Sequence, residues 1–394
     1  VSSFIYLDNN ATTQIAPDVL GAMLPYLQQA YGNPASTQYA LGREASRAVE
    51  KARAQVAEKL NVRDSEIYFN SGATEGINTV LRGIAAAYSR KGKHIVTCAT
   101  EHRAVLETCA LLERQGTEIT YLPVDKNGML DLTELKTAIR PDTVLVSLMA
   151  ANNETGVLHP LGEIAEICAE RGTLFFCDAT QAIGKENIDL QRTRIDVLVG
   201  SAHKFHGPKG VGFLFVRRKS RPIQVPALIS GGKQENGLRG GTLNVPNIVG
   251  CGKALEMAEK HPQLKALRDR LEQAILASIP ETFRNGHPEN RLDNTANIGF
   301  RHVRSAELMT ALPQIALSSG SACSSGLLDP SHVLLAMGLG RQDASAAIRF
   351  SLGRYTTDRE VETAIQAVER AVAALRAASP VWELYRNGQL AMDT

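Results

Sequence analysis

Between residues 66 and 216 the chain alternates short apolar runs, rich in β-branched and aromatic residues, with segments whose apolar positions recur every three or four residues. The runs predict strands over 66–69, 94–98, 118–123, 143–149, 173–177, 196–200 and 211–216. Helices are predicted over 104–114 and 161–171, with Gly116 and Gly172 placed to end them. Ahead of the first strand, Ala45, Ala48, Val49, Ala52, Val56 and Leu60 fall on one face of a long amphipathic helix. Strands alternating with helices at these lengths give an α/β architecture around a mostly parallel sheet.

The last third reads differently. Helical periodicity over 254–260 and 264–278 precedes short strands near 295–300 and 347–352. A terminal helix starts at the capping box of Thr357 and Glu360 and continues through Val361, Ala364, Ile365, Val368 and Val372. These elements predict a second, smaller α+β domain.

A chain of 394 residues with 44% hydrophobic content has enough apolar surface for a large core and, by length, for two domains. Forty-three basic against forty-one acidic residues leave a formal charge of +2, so no global field draws it to nucleic acid or to an anionic membrane. No apolar run approaches the roughly 20 residues of a membrane span, and no signal-peptide pattern is present, which leads to an expected cytoplasmic location. Six scattered cysteines form no C-x-x-C pair, so neither zinc nor a disulfide framework is expected. Cys98, Cys109, Cys168 and Cys177 lie inside apolar patterns and read as small buried hydrophobes.

The candidate chemistry collects where predicted strands end, which is where an open parallel sheet binds ligands. The strand over 66–69 runs into Asn70-Ser71-Gly72-Ala73-Thr74-Glu75, a small turn opening a helix whose free N–H groups suit a phosphate. The next strand ends are followed by Thr100-Glu101-His102, Asn152-Asn153-Glu154, Asp178-Ala179-Thr180-Gln181 and Ser201-Ala202-His203-Lys204. Singly, each has an ordinary structural explanation: a helix cap, a turn, a solvated lysine among glycines. Together they would meet in one crevice, with a lysine for a Schiff base, a carboxylate for a pyridine nitrogen, an imidazole for proton transfer and donors for phosphate. That set suits a pyridoxal 5′-phosphate site.

The motifs extend further: Tyr6-Leu7-Asp8-Asn9-Asn10-Ala11-Thr12-Thr13, Gly32-Asn33-Pro34-Ala35-Ser36, Gly240-Gly241-Thr242, Ser319-Gly320-Ser321-Ala322-Cys323 and Ile348-Arg349-Phe350-Ser351-Leu352-Gly353-Arg354. With them, nearly the whole chain resembles the cysteine desulfurases of the NifS/IscS-like group, class V aminotransferases of the aspartate-aminotransferase-like fold (fold type I). The resemblance implies a large cofactor-binding domain over 15–255. Residues 1–14 with 256–394 would form the small domain carrying the catalytic cysteine. It makes Lys204 the Schiff-base lysine and proton carrier, Asp178 the partner of the pyridinium nitrogen, and Gln181 a donor to the phenolic oxygen. His102 would stack on the ring and move protons. Ala73, Thr74, Ser201 and His203 would hold the phosphate, joined by Thr242 from a second subunit. Asn153 and Arg349 would hold the substrate carboxylate. Cys323 would be the nucleophile that takes sulfur from L-cysteine as a persulfide, leaving L-alanine. A homodimer that passes sulfur to an acceptor such as an iron–sulfur scaffold protein follows, without direct nucleic-acid binding. Ala202 stands where many relatives have Gly, and 303–307 replace a more usual Gly-Glu pair; neither touches a catalytic position.

Two other functions fit the same residues. A selenocysteine or cystine lyase, or an aminotransferase, would use Lys204 without a cysteine nucleophile, and replacing Cys323 separates it from a desulfurase. A non-catalytic assembly scaffold would keep the fold alone and lack a coloured cofactor.

Overall fold

The computed structural model describes residues 4–319 and 330–389. After a short strand β1 (Ile5–Tyr6), the chain builds β2 (Ile67–Asn70), β3 (His94–Cys98), β4 (Glu118–Leu122), β5 (Thr143–Met149), β6 (Leu174–Asp178), β7 (Val197–Ser201) and β8 (Gly212–Val216). These seven form one sheet in the order β2-β8-β7-β6-β5-β3-β4. β8 runs antiparallel to both neighbours and the remaining pairs are parallel, so the carboxyl ends of β2, β3, β5, β6 and β7 share one edge. β3, β5, β7 and β8 are buried along their whole length, and β6 is buried after its first residue, which explains their unbroken apolar runs.

Helices cover both faces. On one, Ala40–Leu60 buries the predicted stripe of Ala45, Ala48, Val49, Ala52, Val56 and Leu60, and on the other Ala73–Ala87 and Arg103–Arg114 pack over Ile95, Leu145, Val197 and Val199. A separate core lies in the last third. There β9 (Thr282–Arg284), β10 (Thr295–Phe300) and β12 (Ala347–Ser351) form an antiparallel sheet in the order β12-β10-β9, against helices Pro262–Ser278 and Asp358–Ala377. The N-terminus returns to this core: β1 pairs in parallel with β11 (Ile315–Ala316), and Asn9 N–H donates to Ser351 O at 3.0 Å. The expected Thr357 capping box is present at the start of Asp358–Ala377.

One element departs from expectation. The helix predicted over 254–260 runs instead over Val245–Glu256, with the Asn244 side chain capping the Asn247 N–H and Pro246 in its first turn. Gly250 and Gly252 interrupt the apolar period, and the packing explains them. A Cβ on Gly252 would lie 2.6 Å from the Ala52 Cα, and one on Gly250 2.6 Å from the Met23 sulfur. The helix crosses Ala40–Leu60 closely enough that only glycine fits.

Replacing Gly252 by Ala should therefore destabilise the protein by about 1–3 kcal/mol through overpacking against a backbone atom. A urea unfolding midpoint unchanged from wild type would show that the helix pair relaxes freely.

Candidate active site

The shared edge of β2, β3, β5, β6 and β7 opens into a cleft of about 640 Å³. Ala73, Thr74, His102, Asn153, Asp178, Gln181, Ser201, His203, Lys204 and Arg349 all line it. Thr242 does not: it is exposed and lies beside Asn33, Arg53 and Glu235 at a different hollow. Cys323 lies outside the described residues.

Each side chain arrives by a local rule. After β2, Gly72 takes φ 146°, which a side chain would disfavour, and starts the helix Ala73–Ala87 without a side-chain cap. The N–H groups of that first turn are left for a ligand. A Cβ on Gly72 would sit 3.5 Å from Ser201 Oγ, so the end of β7 brings its hydroxyl to the same turn. After β3, His102 caps Arg103–Arg114, its Nδ1 accepting from the Ala104 N–H at 3.1 Å. That bond makes Nδ1 the acceptor, so the neutral ring carries its proton on Nε2. Burial, and then Lys204, lower the His102 pKa below the usual histidine value, against the pull of Asp178.

Asp178 closes β6, and its Oδ1 accepts from the Thr180 N–H at 3.0 Å. Lys204 leaves β7 through the tight turn Ala202–Lys204, and its Nζ donates to the carbonyls of Asn10 at 2.6 Å and Ala11 at 2.8 Å. Burial and the Arg349 cation bring its pKa down to about 8, although Asp178 and Asp8 act the other way. His203 is lowered to about 4 by burial and by Lys204, Lys209 and Lys185, so it is a neutral donor or acceptor near neutral pH; its Nδ1 lies 3.2 Å from Thr12 Oγ1.

Arg349 reaches the cleft from β12 in the other core. It donates to Asn153 O at 2.8 Å and to Asp8 Oδ1 at 2.7 Å, while its Nε is buried with no hydrogen-bond partner. A guanidinium with one buried N–H to spare suits a carboxylate. Thr180 Oγ1 is likewise buried without a partner at the cleft wall. An anchored lysine, a strand-end carboxylate, an uncapped helix start and spare cationic donors fit pyridoxal 5′-phosphate and an amino-acid carboxylate.

The structure adds residues that strand-end reasoning assigned no role. The backbone oxygen of Asn10 accepts from Lys204, while its side chain bonds Thr295 Oγ1 and Asn153 O. Glu101 is fully buried beneath His102, one oxygen held by the Met149 N–H and its pKa raised well above the carboxylate range by burial. The polar Asp8-Asn9-Asn10 directly after buried Ile5 and Leu7 was the available signal for the first.

Residues 5–363 match the family described as Aminotransferase class-V. The chain is similar to "Cysteine desulfurase IscS" of Haemophilus influenzae (strain PittGG), 48% identical over 391 residues that cover 98% of this chain and 96% of the relative. Among solved structures it resembles one titled "NIFS-LIKE PROTEIN", with a TM-score of 0.88, 38% identity and coverage of 94% of this chain and 100% of that one. It also resembles "SspA in complex with cysteine", with a TM-score of 0.81, 35% identity and coverage of 90% and 100%.

A lysine lowered to about 8 exposes a neutral amine at pH values where surface lysines are still charged. In protein freed of small molecules, acylation of Lys204, followed by peptide mass spectrometry, should reach half its maximal rate near pH 8. A midpoint at pH 10 or above would contradict the electrostatic reading of the cleft.

Proposed function

This chain belongs to the aminotransferase class-V family and is a pyridoxal 5′-phosphate-dependent cysteine desulfurase, and from that premise we propose how its own residues carry the reaction. The observation that carries the proposal is the meeting of Lys204, Asp178, His102 and Arg349 in one cleft. When bound there, the cofactor supplies an aldehyde to capture the substrate amine and a cationic ring to withdraw electrons from its carbon.

Lys204 would hold the cofactor through its amine and carry a proton at the substrate carbon. Its lowered pKa supports this, because a neutral amine is both the nucleophile and the base. Asp178 keeps the ring nitrogen protonated. His102, open to the cleft, would stack on the ring and exchange the proton on Nε2 with the incoming amino acid. Ala73 and Thr74 at the uncapped helix start hold the phosphate with Ser201 and His203. Gln181 donates to the ring's phenolic oxygen. Asn153 and Arg349 take the substrate carboxylate, and the orphaned Nε of Arg349 supports that role.

The net change is the exchange of a C–S and an S–H bond for a C–H and an S–S bond: L-cysteine and the Cys323 thiol become L-alanine and the Cys323 persulfide. The Cys323 thiolate takes the substrate sulfur, and the carbon receives its replacement proton. The small-residue sequence Ser319-Gly320-Ser321-Ala322-Cys323-Ser324-Ser325-Gly326 supports a nucleophile over a packing thiol; the five other cysteines are all buried, as befits packing. Thr242 would serve the phosphate site of a second copy in a homodimer, a role its exposure away from its own cleft supports. The persulfide goes to an acceptor protein, with an iron–sulfur scaffold as the leading candidate and the cytoplasm as the setting. No described helix is long and apolar enough to cross a membrane.

The test is alanine and sulfide formation from L-cysteine with thiol reductant present, using the holoenzyme and Cys323→Ala. The variant should keep the wild-type visible spectrum and lose turnover by a factor on the order of 100 or more. Unimpaired turnover in the variant would make the protein a lyase, and a colourless wild type would remove the cofactor.

A further inference from the structure

Lys185 sits four residues after Gln181, on the turn that leaves β6, and the site described above gives it no role. Its Nζ donates to Gln181 Oε1 at 2.7 Å and to Asn10 Oδ1 at 3.3 Å. It makes no ion pair among the described residues. The charges facing it are Lys204 and Arg349, both cations; burial first and then these two bring its pKa to about 7, with no carboxylate offsetting them. On the outer side, Lys260 holds Glu186 and Asp293, while His203 and His206 are both lowered to about 4. A half-buried lysine among cations costs stability that a neutral side chain of the same length would not. Its partners therefore have to account for it.

The partners are specific. A glutamine carboxamide can present either its oxygen or its nitrogen, and only its neighbours fix which. Here the neighbours are one-way groups: an amine on one side and the Asn10 carbonyl, which accepts from Gln181 Nε2 at 2.9 Å, on the other. A neutral lysine still donates, so this arrangement survives on both sides of pH 7. Oxygen is turned to Lys185, and Nε2 keeps a second N–H while Gln181 lines the cleft.

We propose that Lys185 is a positioning residue of the cofactor site: it locks the Gln181 carboxamide so that the cleft is offered an N–H and not an oxygen. The inference rests on the cofactor reading given above and on Gln181 facing the phenolic oxygen of the bound ring. With the lock removed only the Asn10 carbonyl still orients the amide, and in the turned fraction a carbonyl oxygen would oppose that anionic oxygen instead of stabilising it.

The experiment is a double-mutant cycle on the full-length protein with Lys185→Met, Gln181→Ala and the combination, with Lys185→Arg as rescue and Lys185→Leu as a second uncharged variant should Lys185→Met not fold. Two readouts are taken: the position of the visible absorption band of the loaded enzyme, and the dissociation constant for pyridoxal 5′-phosphate added to the cofactor-free protein. Lys185→Met should move the band and weaken binding on the order of tenfold, with Lys185→Arg restoring most of both. Combined with Gln181→Ala, it should add little, because both changes remove the same donor. A band and dissociation constant within twofold of wild type would overturn the proposal, as would effects of the two substitutions that simply multiply. A wild type that binds no cofactor would instead overturn the underlying reading.

Discussion

Asn10, 1% exposed, uses every polar atom it has, and the geometry of the cleft depends on it. Its N–H donates to Ser351 Oγ and its carbonyl accepts from Lys204 and Gln181. Its side-chain oxygen accepts from Lys185 and Asn294, and its side-chain nitrogen donates to Asn153 O and Thr295 Oγ1. Ser351, Asn294 and Thr295 belong to the core of the last third; Lys204, Gln181, Lys185 and Asn153 belong to the edge of the seven-stranded sheet. One buried residue thus sets the spacing between two independently packed units. Each of its bonds is worth only about 1 kcal/mol, but leaving the partners unpaired in a buried place costs about 1–3 kcal/mol each.

That junction also explains the electrostatics. Lys204, Lys185 and Arg349 are drawn close together, and the acids that answer them are few: Asp8 pairs with Arg349, and Asp178 stands at the end of β6. Burial first lowers His102, His203 and both lysines, and the neighbouring cations add to it at His203, Lys185 and Lys204. An anionic phosphate and a substrate carboxylate would relieve this imbalance. Burial with Arg349 nearby lowers Lys204, so the same enclosed cationic setting that suits anions also leaves its amine more readily neutral.

The sheet was legible in the sequence because its inner strands are buried on both faces and its helices on one. β3 and β5 match the predicted ranges, and the others shift by one or two residues at their ends. β6 and β7 each extend one residue further than the apolar pattern, taking in Asp178 and Ser201, because their polar side chains still sit on backbone that pairs in the ladder. The helix Val245–Glu256 was hidden by glycines that exist for packing. The strand-end rule found the large-sheet side of the cleft because local order in the chain places those residues. It could not find Asn10 or Lys185. Their importance comes from contacts some 170 to 340 residues away or from the partner of a partner, and no local periodicity records either.

Arg349 shows why the chain needs both units. It stands on β12, paired with Asn297 across β10, within a sheet whose interior is wholly apolar on the side of Ile298, Ile348 and Phe350. Its head crosses to Asn153, the residue that follows the β5 edge, and to Asp8, which β1 ties to β11. A carboxylate bound between Arg349 and Asn153 would therefore touch both cores at once. Its position relative to Lys204 would be set by how the cores meet and not by either alone. The N-terminal strand pairing is the link that fixes this: residues 5–9 are bonded into the small core, and by residue 13 the chain is bonded to the His203 carbonyl. Nine residues, 5–13, carry the register of one unit into the active edge of the other, which is why so short a segment is so densely polar.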